Sequence, residues 1–262
     1  MCGRYASSRS PGDLVLEFEV DENDVEDAAG APARFNVAPT DTVPVVLERV
    51  RPPEPDAEPE VEPAVVRRLR PLTWGLVPSW SKQRTGGARM INARAESLLE
   101  KPAYRKAALT RRCLIPADGW YEWQVSAGER DAKGKPRKQP FFMHLADGAG
   151  LAFAGIYEFW RDRSLDADDP QAWLVTFAVI TTAAEPGLAM IHDRMPLVLP
   201  PDRWNPWLDP QNQNQDEIRG LIESLPSGRF EARPVTTRVN SVRNDGPELL
   251  EVDRSYSPPI GD

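Results

Sequence analysis

The chain has 262 residues, 40% hydrophobic and 27% charged, enough to bury a sizeable core and ordinary for a globular protein. No apolar run reaches membrane-spanning length, and the start Met1-Cys2-Gly3-Arg4-Tyr5 lacks the apolar stretch of a secretory signal, so a cytoplasmic protein without a membrane partner is expected. Two cysteines and two histidines, in no metal-ligand spacing, exclude a disulfide framework and a structural zinc, and the net charge of -8 excludes a generically basic nucleic-acid binder.

Along the chain, the apolar spacing over residues 13–20 predicts a helix. Residues 43–50 and 65–77 read as strands rich in β-branched side chains. Between them, residues 51–63 (RPPEPDAEPEVEP) cannot pack a core and read as a flexible, acidic, proline-rich insertion. Residues 95–109 carry a helical pattern interrupted by Pro102. Strands follow at 119–125, 141–145, 151–159 and 173–182, separated by a long hairpin loop at 126–140 and a polar loop at 161–170. A last helix is expected at 216–225. Residues 1–252 are expected to form one α+β domain built on a mostly antiparallel, barrel-like sheet with flanking helices, and residues 253–262 a disordered tail.

The chemistry begins at Cys2. Once an initiator methionine is trimmed, this residue carries an amine and a thiol on adjacent carbons. The amine titrates at about 7.7–8.0 and the thiol near 8.5, so both are partly nucleophilic at neutral pH. The amine condenses with an aldehyde to an imine, and the thiol, held at high effective concentration, closes a five-membered thiazolidine ring. The same start also suits an N-terminal-nucleophile hydrolase, such as a glutamine amidotransferase or a peptidase. A third reading is a reversible reader of modified bases in which Cys2 is dispensable.

Other positions carry chemistry-bearing side chains in compact blocks. Glu122 lies among Trp120, Tyr121 and Trp123, where desolvation would raise its pKa toward acid–base use; simple strand alternation would instead turn it outward. His192, in the polar knot His192-Asp193-Arg194, is a better proton shuttle than His144, which sits in an apolar strand. Asn92 can donate to a carbonyl or a developing oxyanion, or it can cap a helix ahead of Ala95-Glu96. Arg4, Arg94 and Arg194 suit phosphate, and Trp80 and Trp123 suit base stacking. Cys113, followed by Leu-Ile-Pro, reads as a buried core cysteine.

Six of these pieces, MCGRYA, FNVAPT, WGLVPSW, INARAES, CLIPADGWYEW and IHDRMPLVL, fall in order across nearly the whole chain. Together they resemble the SRAP (SOS response-associated peptidase) family. The resemblance implies a positively charged groove and a protein that binds single-stranded DNA. It implies crosslinking to abasic sites through a thiazolidine at residue 2, shielding the lesion during the DNA damage response. It assigns the nucleophile to Cys2, the aldehyde-orienting amide to Asn92, the acid–base carboxyl to Glu122 and a catalytic histidine to His192. DNA contacts fall on Arg4, Trp80, Arg94, Trp123 and Thr181. Abasic-site lyase and self-processing peptidase activities are further implications. No cofactor and no metal are expected, and the protein is expected to be a monomer that associates with the nucleoid when bound to DNA. The 51–63 insertion and the strong acidity match no motif of the family.

Overall fold

The computed structural model describes residues 2–25, 32–52, 63–130, 133–223 and 228–257. Its strands are β1 (Tyr5–Ser7), β2 (Glu22–Asn23), β3 (Arg34–Val37), β4 (Thr42–Arg51), β5 (Ala64–Trp74), β6 (Asn92–Arg94), β7 (Arg112–Ala117), β8 (Gly119–Arg130), β9 (Pro136–Leu145), β10 (Leu151–Arg161), β11 (Trp173–Ala183), β12 (Arg194–Pro196) and β13 (Phe230–Pro234). The helices are α1 (Pro11–Glu17), α2 (Pro102–Thr110), α3 (Pro186–Ala189), α4 (Trp204–Leu208) and α5 (Gln215–Ile222). The fold is α+β.

Five strands close on themselves. β7 pairs with β4, β4 with β5, β10 with β7 and β11 with β10, all antiparallel. The ring shuts through a short parallel contact between β5 and β11, Thr73 against Thr176 and Trp74 against Phe177. Closure removes the exposed edges that an open sheet would present. The strand period of two then sorts side chains onto the two faces of the wall. Along β10, Ala152, Ala154 and Ile156 join a core that also holds residues of all the helices but α3. Their neighbours Leu151, Phe153 and Tyr157 join a second core shared with Cys2, Tyr5 and Trp120. A second sheet, in the order β13-β9-β8-β1-β3, covers that second core.

Local chemistry sets the helix ends. Ser10 caps α1 by accepting the Asp13 N–H, with Pro11 in the first turn. Asn214 caps α5 through the N–H groups of Asp216 and Glu217, and α5 buries Ile218 and Ile222. Arg112, buried in β7, donates to the carbonyls of Ala108, Leu109, Trp207, Asp209 and Asn212, satisfying chain ends that no helix bond reaches.

Several expectations need correction. The helix expected at 95–109 is two pieces: a 3-10 turn at Ala95–Ser97 and then α2, because Pro102 has no N–H to donate and so starts a helix rather than continuing one. Residues 126–140 are not a loop throughout; β8 and β9 carry the ladder out to Arg130 opposite Pro136. Of the expected tail, residues 253–257 are held: the Asp253 N–H donates to the Pro234 carbonyl, and the Tyr256 ring packs edge-on to Phe141 at 5.4 Å. Residues 258–262 lie outside the described residues, as do residues 53–62 of the expected insertion. The hairpin that flanks those ten is paired to its last described rung, Arg51 opposite Ala64.

Candidate functional site

Cys2 runs directly into β1, and β1 lies between β3 and β8. That placement wedges residue 2 between the barrel and the second sheet, where it is fully buried. Its Sγ lies 4.0 Å from the Arg4 carbonyl. Burial, and next the nearby Glu122 carboxylate, push the thiol pKa far up, so the neutral thiol is the resting form.

Asn92 approaches from the barrel side. It is fixed by β6, which adds in parallel to β11 with Asn92 opposite Val179, and the Tyr104 hydroxyl donates to its carbonyl at 3.3 Å. Its Nδ2 donates to the Cys2 carbonyl at 2.7 Å. The amide oxygen Oδ1 is buried and has no hydrogen-bond partner among the described residues, an acceptor held ready in the site. The capping alternative fails: Arg94 occupies the cap position of the Ala95–Ser97 turn, without a side-chain bond.

Glu122 enters from the second sheet, on β8. Both faces of that sheet are covered here, so alternation does not expose it: Trp120, Tyr121 and Glu122 are all buried, Glu122 at 3% exposure. The outward-facing alternative is thereby overturned. Desolvation raises its pKa to about 7, with the Asp193 carboxylate adding to the rise. A carboxyl so tuned can give and take a proton at neutral pH.

His192 follows α3, its N–H donating to the Leu188 carbonyl. Its Nδ1 accepts the Arg194 N–H at 3.0 Å, which places the ring hydrogen on Nε2. Asp193 Oδ1 also lies 3.0 Å from that Nδ1, a contact that favours the charged ring. Burial outweighs it and lowers the pKa, so the neutral ring prevails.

The expected DNA contacts divide. Trp80 is 71% exposed, Arg94 is exposed and Trp123 half-buried, its Nε1 donating to Asn240 Oδ1 at 2.7 Å. Arg4 is half-buried and spends its Nη1 on Asn36 Oδ1 and the Val239 carbonyl. Arg194 forms a two-pronged bond with Glu96 and donates to the Thr181 carbonyl at 2.6 Å, so its charge is already answered. Thr181 is buried in β11 at 1% exposure and faces Arg194 rather than solvent. Trp80 is remote from the Cys2 cluster: the adjoining Ser81 carbonyl accepts from Trp160, whose partner Leu174 is five residues along β11 from Val179, about 17 Å at strand spacing.

Three contributors had no signal in the sequence beyond lying near the quoted blocks: Asp193 beside Glu122, Tyr104 behind Asn92, and Glu96 on Arg194. Among the described residues no group of His, Cys, Asp and Glu side chains gathers to hold a metal ion, and no helix is long and apolar enough to cross a membrane.

The family model described as SOS response associated peptidase (SRAP) matches residues 1–242. The abasic site processing protein YoqW of Bacillus subtilis is 34% identical over 251 residues, covering 96% of this chain and 99% of its own. The abasic site processing protein YedK of Escherichia coli is 32% identical over 254 residues, with the same coverage. A crystal structure of a protein from Bacteroides thetaiotaomicron shares the fold, with a TM-score of 0.75 at 21% identity over 96% of this chain and 99% of that one. On the match across residues 1–242 and the identity to these relatives, this chain belongs to the SRAP family.

Proposed function

We propose that this protein processes abasic sites in single-stranded DNA by capturing the lesion's aldehyde on Cys2. The observation that carries the reading is the meeting at residue 2 of the Asn92 amide, 2.7 Å from the Cys2 carbonyl, with a buried carboxyl tuned to about pH 7. The names of the relatives YoqW and YedK support the substrate.

Removal of residue 1 leaves the Cys2 nitrogen as a primary amine. Glu122, protonated, gives its proton to the ring oxygen of the closed abasic sugar and takes up the proton of the C1′ hydroxyl as the C1′–O bond breaks and the ring opens to the aldehyde. The amine nitrogen attacks the aldehyde carbon and its surplus proton moves to the oxygen; the carbinolamine then loses its hydroxyl as water, protonated by Glu122 while the His192 Nε2–H hydrogen-bonds the departing oxygen, and the nitrogen returns its proton to the carboxylate to leave an imine. Asn92 orients the oxygen through its amide. The thiol then adds to the imine carbon: a C–S bond forms, the C=N bond becomes single, and the thiol proton passes by way of the Glu122 carboxylate to the nitrogen. The high thiol pKa suits this last step, because it keeps sulfur protonated until carbon is in place. Before ring closure, loss of the C2′ proton from the imine expels the 3′ phosphate, which is the route to lyase activity. Arg4, Arg94, Trp80 and Trp123 hold the strand, and Thr181 acts from within by steadying Arg194.

Denaturing gel electrophoresis of the protein with single-stranded abasic DNA tests the reading. A heat-stable adduct is expected from the wild type and none from Cys2→Ala, with intact mass showing loss of Met1. An adduct that survives Cys2→Ala, or release of ammonia from glutamine without any adduct, overturns it.

A further inference from the structure

No aspartate or glutamate occurs between Glu62 and Glu96, in a chain that carries 40 of them in 262 residues. The cations of that stretch fall into two sets. Arg67 pairs with Glu48, Arg68 with Glu22 and Asp24, and Arg70 with Asp24. Lys82, Arg84, Arg89 and Arg94 are exposed, and none lies in an ion pair with a carboxylate among the described residues. Four exposed cations thus share one segment whose own sequence holds no carboxylate.

That segment is a single excursion along β11. It leaves where the Val77 N–H donates to Thr176 Oγ1 and returns where the Val179 N–H donates to the Ile91 carbonyl, ending on Asn92 and Arg94. Its base is pinned by a close backbone approach. Gly75 has φ +119°, and a Cβ there would lie 2.6 Å from the Gly87 carbonyl oxygen. Its outer limb meets the end of β10. There two neighbouring cavities of about 440 and 230 Å³ open, with Lys82, Arg84, Arg161 and Arg163 in their walls and Asp162 as the single carboxylate. Asp162 is occupied by the Ser164 N–H and hydroxyl at 3.0 and 2.6 Å.

We infer that the segment from Lys82 to Arg94, together with Arg161 and Arg163, is a phosphate track that carries the strand flanking the captured lesion from the Cys2 site to the cavities at the end of β10. The inference rests on the proposed function for the identity of its ligand, a single-stranded nucleic-acid backbone. Spaced cations along an exposed segment follow a flexible polyanion. The track gives an acidic body a local cationic path for a DNA strand.

The test is binding of undamaged, fluorescently labelled oligothymidylate of about 20 and about 5 nucleotides, followed by anisotropy between about 50 and 200 mM salt. Arg84→Glu with Arg163→Glu is compared with Arg105→Glu with Lys106→Glu, an equal charge change on exposed positions of α2. The first pair is expected to weaken the longer strand about tenfold and to flatten its log–log salt slope by about 0.7 per lost phosphate contact. The shorter strand should lose less, and the α2 pair should shift the longer strand less than about twofold. Equal behaviour of the two pairs overturns the track. If the first pair fails to fold, Arg84→Gln with Arg163→Gln takes its place, with the same ranking required. The adduct assay separates the two readings. Wild type forming an adduct while both pairs bind alike removes the track alone. Wild type forming none while the first pair loses affinity removes the capture chemistry and leaves the track.

Discussion

The two cysteines sit in one apolar core and have opposite surroundings. Both are fully buried, and burial pushes both thiols far above the ordinary range. Cys113, in the barrel wall on β7, meets nothing else: desolvation alone accounts for its shift. Cys2 is answered by a carboxylate and an amide from two separate layers, Glu122 on β8 and Asn92 on β6. Burial by itself makes a thiol inert. What distinguishes Cys2 is its place at the seam between barrel and second sheet, where polar side chains from both layers reach it.

The sharpest break of that comparison is truncation at each sulfur. Cys2→Ala is expected to abolish the heat-stable adduct altogether. Cys113→Ala should leave adduct formation in place and cost about 1–2 kcal/mol of unfolding free energy in urea, the ordinary effect of shaving a buried group. Loss of the adduct from both variants at matched stability would show that the two sites do not differ in kind.

Next in size is Glu122→Gln, which removes a proton donor and keeps the shape. The capture rate should fall by about 10²-fold. The pH profile is the finer readout. The protonated carboxyl is lost above about pH 7, while the free amine appears toward about 7.7–8.0. Wild type should therefore show a bell, and the glutamine variant only its rising limb. Stability moves the other way. A carboxyl whose folded pKa is raised binds its proton more tightly in the folded state between about 4.5 and 7. Folding therefore weakens as pH rises through that window. Glu122→Gln should be the more stable protein above pH 7, by at most about 3 kcal/mol, and gain nothing near pH 4. A flat stability difference across pH would place Glu122 in contact with water.

On the barrel side the matching probe is Gly155→Ala. Gly155 is opposite Cys113 in the β7–β10 ladder, and an added Cβ would meet Ile115 Cδ1 at 2.3 Å and Cys113 Sγ at 3.0 Å. Overpacking should cost about 1–3 kcal/mol in urea. The adduct rate, measured well below the unfolding midpoint, should hold.

Much of the barrel was legible because its strands alternate apolar side chains between two faces: the runs at 43–50, 151–159 and 173–182 lie within β4, β10 and β11. The parallel closure of β5 on β11 was not legible, because four residues of pairing leave no periodic mark. The hairpin at 126–140 was hidden by its composition. Gly, Lys and Arg read as loop, yet backbone pairing asks little of side chains at an exposed hairpin end. At the site, Cys2 declared itself by position and His192 by rarity. The burial of Glu122 did not show, since alternation within β8 says nothing of a second layer covering both its faces. Arg194 read as a phosphate ligand until Glu96, far away in sequence, was found bonded to it at 2.5 Å.

The smallest effect is expected at Tyr256, and it probes the wall of the Cys2 region from outside. Its ring lies on Phe141, the residue opposite Glu122 in the β8–β9 ladder. Its hydroxyl lies 3.4 Å from Gln124 Oε1, and Gln124 Nε2 donates to the Met190 carbonyl at 3.2 Å, two residues ahead of His192. The segment therefore touches the strand that carries Glu122 and reaches the turn that carries His192 only through Gln124. Tyr256→Phe keeps the ring and removes one long bond at a half-buried position, so it should cost no more than about 0.5–1 kcal/mol and change the capture rate less than about threefold. Tyr256→Ala removes the ring as well and should slow capture further than Phe does, with the bell-shaped pH profile displaced as water reaches Glu122 and its pKa falls toward the usual carboxylate range. Cys113 lies on β7 in the barrel wall and not on the second sheet that this segment touches, so its reactivity toward a thiol reagent in the folded state should not change. A pH profile in the alanine variant identical to wild type would show that the segment covers β9 without sealing the site.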